Sequence, residues 1–481
     1  MITFNKVSSH NRYAMPLSAL LAIFAGLSES HAQSDAGELL EWGYFDIQNV
    51  YSIPNSEPGS IDEFSTCTDK AGRVHVFALV SKHHQILQHA LLDPDSQQPS
   101  PPPPAEVKTI TKGDMLNYGV TATEAGVCIA WCDNTRNLAF SRWDEPHRQW
   151  SPASPGPVLT ENTIGLGKPF FFPGDGFLFW PCSHPYTLDS NEVGRLQRLA
   201  TMPATSPERQ NLPYAIFSAI HGGEGVIDLY RFTQGDGKRW STPTTLLRRE
   251  EHKLARQMDE CRVFRDRGDA FSIFVECDGI LGAEKASGLR RYVYHAAAKA
   301  PPESRGAWEP ISRTPHFHIA PVINDDVYFI FGYGDMENTG SRNVVWARSD
   351  LPGQYQVLDR DVPCQSGAIS AAFRCENGQR WGIVMWKHSE DWITAFVLLG
   401  DKWSSPIKVP TSASSVGVSL TSKYRGYLLL NHDYKAVGAF PFHLNAEKIK
   451  KLAGQTPSCS KPRPSETRPQ AGEVERRVNE R

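Results

Sequence analysis

A two-strand unit recurs eight times along this chain: an aromatic-rich apolar strand, a polar loop and a second strand. Such self-similarity constrains a fold more than local propensity does, because each copy must bury its faces against its neighbours. The copies run VHVFALV with LQHALL (74–80, 87–92), VCIAWCD with LAFSRW (127–133, 138–143), FLFWPCS with LQRLATM (177–183, 196–202) and YAIFSAI with IDLYRF (214–220, 227–232). Four more follow: FSIFVEC with RYVYHA (271–277, 291–296), VYFIFGY with VVWARS (327–333, 344–349), GIVMWKH with TAFVLL (382–388, 394–399) and YLLLNHD with VGAFPF (427–433, 437–442). Second strands advance by 43 to 64 residues, except for one interval of 31 between the third and fourth copies. That interval is too short for two complete four-stranded sheets, so these two copies share one. The expectation is an all-β chain, a seven-bladed β-propeller, with eight blades as the alternative and a pair of β-sandwiches as the competing class.

Composition points the same way. Twelve Trp, 23 Phe, 15 Tyr, 37 Gly and 35 Pro among 481 residues favour strands and turns over helices. Fifty-three acidic against fifty basic side chains give a net charge of -3, which argues against a chain that holds nucleic acid by neutralising phosphates. At the start, Lys6 and Arg12 precede an apolar run from Met15 to Leu27, and Ser30-His31-Ala32 follows with small residues where a signal peptidase reads. The run is about 13 residues against the roughly 20 that a bilayer needs, so 1–32 reads as a secretory signal rather than an anchor. The expectation is a secreted or periplasmic monomer with no membrane span. Residues 33–454 form one propeller domain, with 39–53 supplying a strand that helps close the ring. Residues 455–481, rich in Pro and charge, read as a disordered tail.

Nine cysteines lie beyond the signal, and an odd count leaves at least one unpaired within the chain. Cys261 and Cys277 flank a turn and fall on neighbouring strands. They form a disulfide, remain thiols, or join His252 and His295 in a structural zinc site. No catalytic metal and no other cofactor is expected, although His316 and His318 fall on one side of a strand.

A second marker repeats with the strands, a turn ending in Trp before a Ser/Pro segment: HRQWSP at Trp150, GKRWSTP at Trp240, GAWEP at Trp308 and DKWSSP at Trp403. These turns resemble degenerate sialidase-type Asp-box repeats, and FTQGDGKRW (232–240) comes nearest. The resemblance implies a propeller, commonly glycan-directed, and carries no active residues with it. Size, export, repeat type and His/Tyr-bearing loops also resemble the single-propeller polysaccharide lyases such as ulvan lyases. That likeness implies His and Tyr as acid and base beside an Arg. In the second repeat, Asn117, Tyr118 and Asn134 stand where that family carries its essential histidine.

In a four-stranded meander the second–third hairpin and the connection between blades open on one face, the usual binding face of the fold. Eight of the sixteen histidines fall there: 83, 84, 184, 221, 316, 318, 388 and 432. β-Elimination of a uronate needs a base, an acid and a cation on the carboxylate. The third hairpin offers His184 and Tyr186 for the proton and Arg198 for the carboxylate. Asn117, Tyr118, Asn134, His83, His84, His221, His388 and Trp392 would bind the sugar. The expected function is therefore a lyase acting on a uronate-containing polysaccharide. The alternatives are a glycoside hydrolase using a carboxylate pair, drawn from Asp259, Glu260, Glu276, Asp278, Asp335 and Glu337, and a non-catalytic propeller lectin.

Overall fold

The computed structural model describes residues 40–42, 48–53, 59–81, 85–93, 107–110, 115–133, 135–159, 165–184, 190–203, 205–206, 209, 224–233, 239–247, 258–277, 288–298, 300–308, 317–334, 343–351, 355–360, 362, 369–389, 392–410, 413–421, 424–432 and 434–445. Strands dominate them, and they fall into consecutive antiparallel meanders. The first is Ser60–Thr68, Val74–Ser81, Gln85–Leu92 and Val107–Thr109. The second is Met115–Thr123, Gly126–Asp133, Leu138–Asp144 and the short Gln149–Trp150. The third begins with Gly165–Leu166 and Phe170–Phe172, continues through Phe177–His184 and Glu224–Thr233, and ends at Arg239–Trp240 and Thr244–Leu247.

The fourth is Met258–Arg265, Ala270–Cys277, Gly288–His295 and Glu303–Trp308. The fifth is Phe317–Ile323, Tyr328–Gly334, Asn343–Arg348 and Gln356–Asp359. The sixth is Ile369–Glu376, Gln379–Lys387, Trp392–Leu399 and Lys402–Trp403 with Ile407–Pro410. A parallel bridge, Val322 to Phe373 and Ile323 to Arg374, links the fifth to the sixth. The seventh is Ser415–Leu420, Arg425–His432 and Ala436–Leu444. Its outer edge is completed by Leu40–Trp42 and Gln48–Ser52 from the other end of the chain. Joining the first strands to the last sheet shields an edge that would otherwise be left unpaired.

The second strands are apolar at nearly every position because both faces of each sheet are covered; Val74 to Val80 are all buried. What covers them is the next sheet round. Phe77 and Leu79 pack with Tyr118 and Trp131, joining the first sheet to the second. Phe140 meets Phe171 and Trp180, Phe179 meets Phe271, and Phe274 meets Tyr328. Phe329 packs on Phe373, and Val397 lies in one cluster with Val418. Leu429 and Val437 then join Val74 and Val76, so the last sheet returns to the first. Sheets packed face to face in a closed circle make a β-propeller.

The Trp-Ser turns act as mortar in this ring. Ser151, Ser241 and Ser404 each use the hydroxyl to accept the backbone N–H of Arg142, Arg231 and Val397 at 3.0–3.1 Å. The serine thereby stands in for a ladder partner where the third strand ends. The preceding tryptophan turns back onto the previous sheet: Trp150 packs edge-on against Phe77, Trp240 against Phe140, and Trp403 against Phe329. Trp308 differs, packing with Phe274 against Tyr328 of the following sheet.

The third meander corrects one element of the strand pattern. LQRLATM (196–202) is not a second strand but lies mostly in the helix Ser190–Thr201, inside the hairpin between Phe177–His184 and Glu224–Thr233. Val193, Leu196, Leu199 and Ala200 recur at the three-to-four spacing of a helix, not at the alternation of a strand. The third and fourth copies do share a sheet, since Phe177–His184 pairs with Glu224–Thr233 along its whole length. Residues 214–220, the first strand of the fourth copy in the sequence reading, lie outside the described residues.

Candidate functional site

Each inner strand starts at the end of the ring where the second–third hairpins turn, so its first residues ring the mouth of the axis. Three inner strands carry a register shift at that level, between Ile61 and Glu63, Met115 and Asn117, and Met258 and Glu260. A bulge re-aims side chains, and such features concentrate at barrel rims and sites.

Charged and titratable groups meet just below these bulges. Glu63 on the first sheet reaches Lys168 on the third, Oε1 to Nζ 2.6 Å, past the inner strand of the second. Beneath them the Tyr118 hydroxyl shares a 3.1 Å hydrogen bond with Ser65 Oγ. Burial, reinforced by the Glu63 carboxylate, raises the Tyr118 phenol well above its ordinary value, so it stays protonated. Arg262 on the fourth sheet sits close enough to act electrostatically on both Tyr118 and His318. His318, second residue of the fifth inner strand, accepts the Ala371 N–H at Nε2, 3.2 Å. That bond assigns the ring proton to Nδ1. The inner strands, with Lys168 from the link between Gly165–Leu166 and Phe170–Phe172, therefore supply one carboxylate, two cations, a buried phenol and a neutral imidazole. Such a set can hold an anionic group: Lys168 spends one of three ammonium donors on Glu63 and keeps two.

Burial, with Arg262 nearby, lowers the His318 pKa from 6.5 to about 4. An unfolded chain protonates this ring near 6.5 while the fold keeps it neutral until about pH 4. Its contribution to stability is therefore complete above 6.5, falls as the pH drops towards 4, and is constant below that. The full shift corresponds to about 3 kcal/mol, an upper figure because the residue is only partly buried. Denaturant midpoints at pH 7 and 4.5 should differ less in His318→Gln than in the parent chain; equal losses in both contradict the assignment.

The residues proposed from sequence are distributed as follows. His184, His388 and His432 each end a second strand or open the hairpin after it, so they share the mouth face. The turns of Trp150, Trp240 and Trp403 lie between third and fourth strands, at the opposite end. Asn117 is partly buried in the second inner strand, and Tyr118 is 4% exposed. Tyr118 thus supports the site from below rather than facing a sugar. His388 stacks on Trp392, centroids 5.1 Å apart, and Lys408 Nζ lies 3.7 Å from the same indole. The Trp392 ring therefore already carries an imidazole and a cation. His388 also shares a hydrogen bond with Thr394.

Arg198 projects from the exposed surface of the helix Ser190–Thr201. His184 is held through Nε2, 2.9 Å from Asp228. Glu276, named for a carboxylate pair, is 3% exposed in the core. His83, His84, Asn134, Tyr186, His221, His252, His316, Asp278, Asp335 and Glu337 lie outside the described residues.

The zinc set is not brought together. Cys277 pairs with Gly288, whereas His295 lies seven residues further along that strand, opposite Ala270, which is about 23 Å of extended chain. Cys261 pairs in the ladder with Val275, and among the described residues Cys67, Cys128, Cys132, Cys182 and Cys375 are free thiols.

Glu63, Lys168 and Arg262 were missed because nothing in their sequence spacing joins them; Glu63 and Lys168 stand 105 residues apart. Two cavities lie off the axis. One of about 660 Å³ sits beside Arg136, Asn137 and Ala153–Leu159 on the mouth side of the second sheet. Another of about 420 Å³ is lined by Asp266, Arg267, Arg291 and Arg305 at the opposite end. No helix among the described residues is long and apolar enough to cross a membrane.

No family model matches the chain, and no curated protein matches it in sequence. Solved structures resemble it in architecture. A protein of unknown function from Dyadobacter fermentans is 10% identical over 84% of this chain and 99% of its own, with a TM-score of 0.41. The polysaccharide lyase Uly1 is 10% identical over 82% of this chain and 92% of its own, TM-score 0.41. A Trypanosoma rangeli sialidase is 8% identical over 85% of this chain and 59% of its own, TM-score 0.38. Likenesses at this distance concern the fold and leave the chemistry to the residues of this chain.

Proposed function

We propose that this chain is an exported carbohydrate-active protein that cleaves a uronate-containing polysaccharide by β-elimination at the mouth of its axis. The observation that carries the reading is a chain of groups from the inner edges of different sheets: Lys168 bonds Glu63, Glu63 and Arg262 both act on the Tyr118 phenol, and Arg262 acts on His318. Removing the C5 proton of a uronate builds negative charge on its carboxylate, and fixed cations and N–H donors stabilise that charge without reorganising. Lys168 and Arg262 hold the carboxylate, and the Nδ1–H of His318 is a further donor. Tyr118 and Ser65 keep the floor rigid. Proton transfer is assigned to the hairpin that begins at His184: Tyr186 takes the C5 proton and returns it to the leaving glycosidic oxygen as the C4–O bond breaks and the C4–C5 double bond forms. Arg198, on the helix in that hairpin, is a third cation for a long anionic chain.

The alternative reading as a hydrolase needs two carboxyl groups at roughly 5 Å or 6.5–9.5 Å flanking the bond. Around the axis the described groups offer Glu63, which is already paired with Lys168. Products decide between the readings. A panel of uronate polysaccharides should yield unsaturated uronates with new ultraviolet absorbance. Saturated fragments would replace this reading by the hydrolase, and binding without cleavage by the lectin.

A further inference from the structure

The third sheet carries a cluster that the glycan reading does not use. Cys182 and His184 sit two residues apart on one strand and so share a face. The register places Asp228 of the neighbouring strand opposite Trp180, on that same face. Cys182 Sγ lies 3.4 Å from Asp228 Oδ2 and 3.7 Å from His184 Nε2, and His184 Nε2 lies 2.9 Å from Asp228 Oδ2. Three ligand atoms bound to one zinc ion at 2.0–2.3 Å in a tetrahedron are separated by about 3.3–3.6 Å. The triangle in the protein needs only a few tenths of an ångström of adjustment to match.

Charge points the same way. Asp228 is fully buried, and its described partners are the Cys182 thiol, His184 and the Thr245 hydroxyl, 2.8 Å from Oδ1. None is a permanent cation, and a buried carboxylate without one is costly. Thr245 fixes the carboxylate from behind, as an outer partner of a metal ligand does. The other such group, Asp69, His75 and Glu145, is different: Arg73 already bridges Asp69 and Glu145. Coordination of a divalent cation expels a thiol proton, so Cys182 would bind as the thiolate.

We infer that Cys182, His184 and Asp228 form a mononuclear zinc-type site, with Sγ, Nε2 and Oδ2 as ligands. The side chain of His184 is 22% exposed while that of Asp228 is fully buried. The fourth position therefore opens on the His184 side, towards the mouth face, for water. Binding releases one proton, from Sγ, to solvent. The inference does not depend on the lyase reading, since its test needs no turnover.

Cobalt(II) is the probe, added to metal-stripped full-length protein. One equivalent should bind with visible ligand-field bands and a thiolate-to-metal charge-transfer band, and zinc should displace it. Cys182→Ser should remove the charge-transfer band and weaken binding at least 100-fold. His184→Gln, at a partly exposed position, should weaken binding while keeping the β-rich circular dichroism, which guards against a misfolded serine variant. Glu145→Gln, in the other group, should change nothing. A wild-type protein with no thiolate band, or a band that survives in both folded variants, overturns the site.

Discussion

Gly119→Val should leave little folded protein at temperatures where the parent chain is stable. Gly119 lies in the inner strand of the second sheet, and a Cβ there would stand 1.9 Å from the Pro169 carbonyl oxygen and 2.9 Å from its carbon. Both atoms are backbone of the neighbouring sheet, so no rotamer change relieves the contact. The sheets must separate, and in a closed ring a displacement at one seam is carried to the others. Ordinary overpacking costs about 1–3 kcal/mol, and this contact should exceed that range because the obstacle is main chain. Gly268→Ala provides the contrast. Its Cβ meets nothing within 4 Å, so only the positive φ of 77° opposes it, at about 1 kcal/mol. Similar denaturant midpoints for the two variants contradict the close-approach account.

Lys168→Met should lower kcat/KM on a uronate polysaccharide by about 100-fold or more, the usual scale for one preorganised charge donor. Its thermal midpoint should move by little. Lys168 and Glu63 are 28% and 42% exposed, and pairs so placed contribute about 0–1 kcal/mol. Lys168→Arg should recover part of the activity by restoring the charge. A loss of stability that parallels the loss of activity would mark the pair as structural and remove the clamp.

These two residues also show what the sequence could and could not disclose. The repeats were legible because the same seam recurs: Trp150, Trp240 and Trp403 each fill a gap against the previous sheet, and each following serine caps a strand. A repeated packing problem leaves a repeated residue. LQRLATM was misread because it sits where a second strand was due, although its apolar spacing is helical. The axial groups left no such trace. Lys168 and Glu63 meet only because sheets one and three lean towards a common axis, which no local spacing encodes. The Cys182–His184 spacing was visible, but Asp228 lies beyond the whole inserted hairpin, 46 residues from Cys182. The mouth-face histidines were reached by topology alone, and topology places a residue at an end of the ring without saying what it touches. His184 illustrates this, being at the expected end yet bonded to a buried carboxylate.

The most direct test of the account compares one polysaccharide before and after its uronate carboxylates are reduced to alcohols. Reduction removes the anion that Lys168 and Arg262 are proposed to hold, and with it the acidity of the C5 proton, while the glycosidic bonds remain. The wild-type protein should release unsaturated products from the native polymer and none from the reduced one. Equal cleavage of both polymers would contradict a site built around a carboxylate.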